Sequence, residues 1–460
     1  MDFALTVQRQ RTFFQSGATR SLEFRRAQLQ KLLNAIENNE KLLSEALFAD
    51  LRKSPQEAYL TETGLVLSEI RYALRHLPAW MRPQRRRSPL VAWPARGSIR
   101  PEPYGVALIM GPWNYPLQLL LLPLVGAVAA GNCAVLKPSE FAPHTAAAIA
   151  QLLQATFPAE FIAVVAGESE VAQALLREKF DTIFFTGSSS VGRAVMTAAA
   201  RHLTPVTLEL GGKSPCIVCA DAPIEVTARR IAWGKFMNAA QTCVAPDFVL
   251  VDKRVHDVLV EALTRAVGEF YGAAPQSSPS YGRIINRRHF DRLCGYLADG
   301  QIAHGGQQDA QDLYLAPTIL TRVLPEAPVM REEIFGPILP VLPFDNLTEA
   351  LGLLRDRPVP LALYVFSRDR LTQERVLAEA RSGGACINDT ITHMIGKDLP
   401  FGGLGASGLG AYHGRASFDA FTHYRSILER SLRVDLPLRY PPPRVSLATL
   451  KRTFRYLLGG

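Results

Sequence analysis

No charged residue occurs between positions 103 and 136, and this stretch limits what the chain can fold into more than any other feature. A run that apolar has to be buried, either in a bilayer or between the layers of a protein core. A membrane span needs about 20 apolar residues in a single helix. Here Gly111-Pro112, Pro116 and Pro123 interrupt the run, and 106–110 reads Val-Ala-Leu-Ile-Met, the composition of a strand buried on both faces. The stretch is therefore read as strand, loop and buried helix within a soluble α/β protein.

The pattern continues downstream. Apolar runs at 106–110, 133–136, 162–165 and 182–185 alternate with helical stretches near 117–130, 144–156, 170–178 and 189–202. That alternation implies a parallel sheet covered by helices. A second alternating region spans 209–413, with strands expected at 216–218, 248–251, 339–343, 362–367 and 385–388. At 460 residues the chain is too long for one core, so two α/β units with a cleft between them are expected. The first 80 residues are helical: Leu29, Leu32, Leu33 and Ile36 share one face behind Ser21 as N-cap, and Asn38-Asn39 and Ser54-Pro55 punctuate. Between 82 and 103 the composition turns to Arg, Pro and Gly. Strands at 90–93 and 98–100 of a protruding hairpin are expected there, an exposed edge that calls for a partner, with Arg85, Arg86 and Arg87 as a solvated turn before it.

Apolar residues at 48% and charged residues at 20% exclude a disordered chain. The net charge of +9 is spread along the chain with few aromatic residues interleaved, so a basic surface that favours anionic cofactors is preferred over nucleic-acid binding. Six cysteines, at 133, 216, 219, 243, 294 and 386, are too sparse for a disulfide scaffold and point to reduced thiols in the cytoplasm. The start, MDFALTVQRQRTFF, lacks a continuous apolar core, so no secretory signal is expected. Near the other end Leu447, Leu450, Phe454 and Leu457 share a helical face, with Lys451, Arg452 and Arg455 elsewhere. Weak contact with a membrane surface is one reading of 446–460; packing on the protein or fraying is preferred.

Chemistry concentrates at a few positions. Cys243 sits in Asn-Ala-Ala-Gln-Thr-Cys-Val-Ala-Pro, among small and polar neighbours rather than in an apolar strand. Inert core is the commoner fate of a cysteine, but this context suits a thiolate exposed in a cleft. Glu209 follows Pro-Val-Thr-Leu and precedes Gly211-Gly212, at the end of an expected strand where ligands of α/β folds gather. Leu208 and Leu210 flank it, so partial burial and a raised pKa suit it as a base. Asn114 lies between the buried strand and the following helix; its amide could face an oxyanion, or simply close a turn between two prolines. Two strand-to-helix junctions could hold a dinucleotide: Lys137 to Glu140, a cation and a carboxylate in reach of phosphate and ribose, and 185–192, where a helix start offers free N–H groups to a pyrophosphate. The formal GxGxxG match at 403–408 follows no strand and opens no helix, so it is rejected as a phosphate loop. Cys216 and Cys219 lack a second ligand pair, and zinc is not expected there.

Together these segments resemble the aldehyde dehydrogenase superfamily along nearly the whole chain. The motifs are GPWNYP at 111, KPSE at 137, FTGS at 185, ELGGK at 209, NAAQTCVAP at 238, EEIFGP at 332 and FGGLGASGLG at 401. The branch is similar to class 3, which includes fatty, aromatic and coniferyl aldehyde dehydrogenases. The resemblance implies an α/β fold: a Rossmann-type NAD-binding domain (1–83 and 104–208), an α/β catalytic domain (209–413), a small β oligomerisation element (84–103 and 414–445) and a tail (446–460). It implies NAD(P)-dependent oxidation of a medium-chain aliphatic or aromatic aldehyde to the carboxylic acid, in a homodimer. Cys243 would attack the aldehyde, Asn114 stabilise the oxyanion, and Glu209 activate the water that hydrolyses the thioester. Lys137, Glu140, Gly187, Ser188, Gly192, Leu210, Glu333 and Phe335 would hold the cofactor. The carboxylate at 140 favours NAD by repelling a 2′-phosphate, although class 3 enzymes often accept NADP too. Tyr115, Leu119, Trp233, Met237, Thr242, Ile391, Phe401 and His413 match pocket positions of that branch, with ordinary helix core as an equal alternative for Trp233 and Met237. A CoA-acylating dehydrogenase and a catalytically silent binding protein of the same fold are the alternatives; an intact Glu209 speaks against the first and the undamaged trio against the second.

Overall fold

The computed structural model describes residues 2–88, 92–435, 440–442 and 444–458. The N-terminal arm is helical as its periodicity requires. Ser21 Oγ accepts the Phe24 N–H at the start of helix Leu22–Asn38, which buries Leu29, Leu32, Leu33 and Ile36. Ser54 caps Pro55–Ala58, which widens into the π-turn Tyr59–Thr63 and continues as helix Gly64–Trp80. Next comes an antiparallel hairpin of β1 (Gln84–Arg86) and β2 (Ala95–Pro103). Its first strand is not the one expected. Arg85 and Arg86 lie in β1, paired with Ser98 and Gly97, and not in a turn. Of the strand expected at 90–93, residues 90 and 91 fall outside the described residues and Trp93 is not in a strand. Main-chain pairing with β2 selected the segment, and exposed arginine stems tolerate it.

The uncharged run then enters a parallel sheet of β3 (Val106–Met110), β4 (Cys133–Lys137), β5 (Ile162–Val164), β6 (Thr182–Thr186) and β7 (Val206–Glu209), in the spatial order β7-β6-β3-β4-β5. Every residue of β3, β4 and β6 is buried, because helices cover both faces of such a sheet. Helix Gln118–Ala130 is buried on every side, with Pro123 inside it rather than ending it. It stops at Gly131, whose φ of 91° a side chain would resist.

The second region forms a seven-stranded sheet. Its strands are β8 (Pro215–Val218), β9 (Phe248–Asp252), β10 (Gln301–His304), β13 (Thr318–Thr321), β14 (Ile338–Phe344), β15 (Ala362–Phe366) and β16 (Gly384–Ile387). They are ordered β10-β13-β14-β9-β8-β15-β16 and parallel except for β10; β11 (Gln308–Asp309) and β12 (Tyr314–Leu315) make a small ribbon. The chain then returns. β17 (Gly408–Leu409) pairs with β7, so this stretch joins the first sheet although a boundary at 413 assigns it to the second. β18 (Thr422–Arg430) runs along the whole of β2 and completes a three-stranded sheet.

Only residues 210–214 separate β7 from β8. The Asp247 N–H donates to Ser214 O and the Ala362 N–H to Ser214 Oγ, lacing the amino ends of β8, β9 and β15 together just beyond Glu209. The carboxyl edge of one sheet thus meets the amino edge of the other, and the cleft lies there.

The tail is helical from Leu447 to Leu458. Leu447, Phe454 and Tyr456 stand 67%, 49% and 89% exposed. Among the described residues no helix is long and apolar enough to cross a membrane.

Candidate active site

Beyond helix Ile224–Phe236 the backbone adopts left-handed conformation three times in succession, at Asn238 (φ 53°), Ala239 (49°) and Ala240 (61°). Each such residue costs about 1–3 kcal/mol and persists only when its surroundings over-determine it. Here they do. A Glu57 carboxylate oxygen accepts the Asn238 N–H (2.8 Å), and Asn238 Nδ2 donates to Asn114 O (2.8 Å). Gln241 Nε2 donates to Asn238 O (3.1 Å) and Arg283 O (2.9 Å), while its Oε1 accepts the Ile285 N–H (3.0 Å). The small residues of NAAQTC fit this turn because a β-branched side chain would not tolerate positive φ. The turn delivers Cys243 to the wall of a cavity.

Asn114 is buried and gives one N–H of its amide to Gln241 O (3.0 Å), which leaves the second N–H for another acceptor. Glu209 is the last residue of β7. It is buried, neither carboxylate oxygen has a hydrogen-bond partner, and burial raises its pKa well above the carboxylate range. Cys243 is half-buried rather than exposed. Burial, then Glu333, then Glu209 push its thiol up to about 12. The reason is tertiary: burial comes first, and two carboxyl groups distant in sequence add to it.

The cavity has a volume of about 630 Å³ and a largely apolar wall. Tyr115 and Leu119 line it from one side, Trp233 and Met237 from the helix before Cys243, and Ile391 and Phe401 from the far loop. Thr242 also lines it, its hydroxyl bonded to Tyr115 Oη (2.6 Å). Trp233 is 39% exposed, which excludes the helix-core alternative for that residue. His413 is not brought to the wall. It stacks behind Phe401 (5.3 Å between centroids) with both ring nitrogens unpartnered, and burial lowers its pKa to about 3, leaving it neutral. Sequence reasoning passed over Leu60, Glu57 and Phe270, which also line the cavity. No local pattern marks them.

The candidate dinucleotide residues cluster along the carboxyl edge of the first sheet. Lys137 ends β4 and pairs with Glu140 at 2.6 Å. Ser188 Oγ accepts the Val191 N–H at the start of helix Ser189–Ala200, and the Gly187 N–H donates to Glu209 O (3.0 Å). A Cβ on Gly192 would come within 2.7 Å of Leu210 Cδ2, and one on Gly211 would strike the Glu333 carboxylate, so glycine there lets the elements close. Burial and Asp247 raise the Glu333 carboxyl to about 8. Lys213 bonds Asp247 and donates to Val329 O (2.7 Å) and Glu332 O (2.9 Å), clamping the EEIFGP loop. That loop turns through Phe335 at φ 49°, whose ring meets Trp113 edge-on at 5.2 Å. A helix start, a cation and two carboxylates on one edge, with the buried Thr186 hydroxyl left unpartnered, form a donor and acceptor set that fits a dinucleotide. Lys213 and Asp247 were missed as clamps, although Lys213 closes the ELGGK motif.

Comparison with known proteins points one way. The sequence profile of the aldehyde dehydrogenase family matches residues 2–427. The human aldehyde dehydrogenase family 3 member B1 is 49% identical, over 95% of this chain and 94% of its own length. The rat dimeric NADP-preferring aldehyde dehydrogenase is 47% identical, over 95% of this chain and 97% of its own. The substrate-bound structure of Staphylococcus aureus AldH superposes with a TM-score of 0.96 at 45% identity, covering 98% of this chain and 99% of that one.

Proposed function

Since this chain belongs to the aldehyde dehydrogenase family, whose members oxidise aldehydes to acids, we propose that it does so through a covalent thioester on Cys243. The Cys243 sulfur attacks the aldehyde carbon, and its proton passes to a base of the site. The negative charge that develops on the carbonyl oxygen is met by the free N–H of Asn114 and the backbone N–H of Cys243. Lys137, Glu140, Gly187, Ser188, Gly192, Leu210, Glu333 and Phe335 would hold a nicotinamide dinucleotide, which would supply the acceptor for the hydride that leaves the former aldehyde carbon as the thioester forms. Glu209 then takes a proton from water as that water attacks the thioester carbon. The C–S bond breaks, the carboxylic acid leaves, and the sulfur regains its proton.

The observation that carries this reading is Glu209: a buried carboxylate with no partner, close enough to raise the Cys243 thiol. Water-activating glutamate favours hydrolysis over transfer to CoA. The test is pre-steady-state NADH formation. Glu209→Gln should keep a burst and lose turnover, and an unchanged steady state would overturn the assignment.

The apolar cavity supports a medium-chain aliphatic or aromatic aldehyde. Glu140 opposes a 2′-phosphate, but its pairing with Lys137 weakens that opposition, so NAD is favoured and NADP accepted; the rat relative, by its name, prefers NADP. Among the described residues the outer edge of β18 is unpaired, which supports a homodimer built there. Six free cysteines support a reducing, cytoplasmic setting.

A further inference from the structure

One buried ion pair in the N-terminal arm touches the active site from behind. Arg52 adopts a left-handed conformation (φ 58°) after helix Glu40–Leu51, and the chain turns so that Lys53 points inward with no exposed surface. Its Nζ donates to Glu62 Oε1 (2.5 Å) and to the backbone oxygen of Asn114 (2.9 Å), and it stands 3.9 Å from the centroid of the Tyr115 ring. Glu62 is equally buried. Its other oxygen accepts the N–H groups of Leu117 (3.0 Å) and Gln118 (2.9 Å) at the start of helix Gln118–Ala130. A carboxylate at a helix start is favourably placed. Segment 114–118 is therefore fixed at both ends by the same pair, and Asn238 Nδ2 adds a second donor to Asn114 O from the nucleophile's own loop.

A buried ion pair is a poor source of stability, since desolvation offsets most of its attraction. What it does supply is direction. An ammonium with two oxygen partners and a ring face leaves the Asn114 carbonyl little freedom, and the side-chain amide of the same residue inherits that restraint.

We propose that Lys53, anchored by Glu62, is a positioning residue for the reaction, fixing the Asn114 backbone so that its amide meets the developing oxyanion. The inference rests on the oxyanion role given to Asn114 above. Neither residue touches the aldehyde, so the effect falls on the rate of the chemical step and not on substrate affinity.

The test compares single-turnover NADH formation, kcat and the aldehyde KM in wild type, Lys53→Met, Asn114→Ala and the double variant, with Glu62→Gln alongside, each below its thermal transition. Asn114→Ala should lower the single-turnover rate about 100-fold, the scale of a lost oxyanion donor. Lys53→Met should lower it about 10-fold, the scale of a misplaced group, with KM within about twofold. In the Asn114→Ala background Lys53→Met should cost less than about twofold, because the two act through one amide. Should Lys53→Met fail to fold, the near-isosteric Glu62→Gln decides, with a loss of about threefold that likewise vanishes without Asn114. Equal losses with and without Asn114, or a change confined to KM, would overturn the positioning role. If Asn114→Ala leaves the rate intact, the oxyanion assignment itself fails and takes this inference with it.

Discussion

The thiol centre and the proposed dinucleotide edge are built by opposite means. Around Cys243 the backbone is strained and its restraints are internal: Glu57, Gln241 and Asn114 all bond Asn238, the first of three left-handed residues. Along the proposed dinucleotide edge the backbone is ordinary at the helix start and Val191 beside it is 46% exposed. Chemistry that must place a sulfur, an amide and a water requires geometry paid for in advance. Binding a long anion requires only donors along an open edge.

This contrast is breakable, and the sharpest blow falls on the thiol. Cys243→Ala should remove NADH formation entirely across an aldehyde panel followed at 340 nm; steady-state rates equal to wild type would dissolve the thiol centre as a functional unit. Glu209→Gln should slow turnover by about 100-fold or more while the burst survives. Because burial raises the Glu209 carboxyl, its ionised form is gained as pH rises, so hydrolysis-limited turnover should climb with pH in wild type and lose that limb in the variant. Strain is tested next. Ala239→Val places a β-branched residue at positive φ and should cost about 2 kcal/mol in denaturant unfolding, whereas Val191→Ala on the open edge should stay within about 0.5 kcal/mol. Equal costs would erase the distinction. Glu140→Gln, on the same edge, should raise the NADP to NAD ratio of kcat/KM by about fivefold without lowering kcat, and an unchanged ratio would remove Glu140 from cofactor choice. The smallest effect is expected at the tail, where truncation at Ser446 should leave kcat unaltered and abolish any co-sedimentation with anionic vesicles.

How much of this was readable beforehand follows a physical rule. The strands at 106–110, 133–136 and 182–185 were legible because burial on both faces leaves an uninterrupted apolar run; Ser21 announced a helix start and Ser54-Pro55 a break between helices by their own chemistry. β1 was misplaced because an exposed three-residue strand is chosen by main-chain pairing with β2, which side chains do not encode. His413 matched a pocket pattern, yet Phe401 lies between it and the cavity, and only packing decides which of two neighbouring rings faces inward.

By itself, then, the sequence determined the first parallel sheet, most strands of the second and the order of the motifs, since each depends on local composition or on residues adjacent in the chain. Tertiary structure alone decided the protonation of Cys243, the left-handed turn that aims it, and the Lys53 to Asn114 contact. Electrostatics and strain depend on which distant groups share a low-dielectric space, and residues such as Glu333 beside Cys243, or Glu57 beside Asn238, become neighbours only when the sheets close.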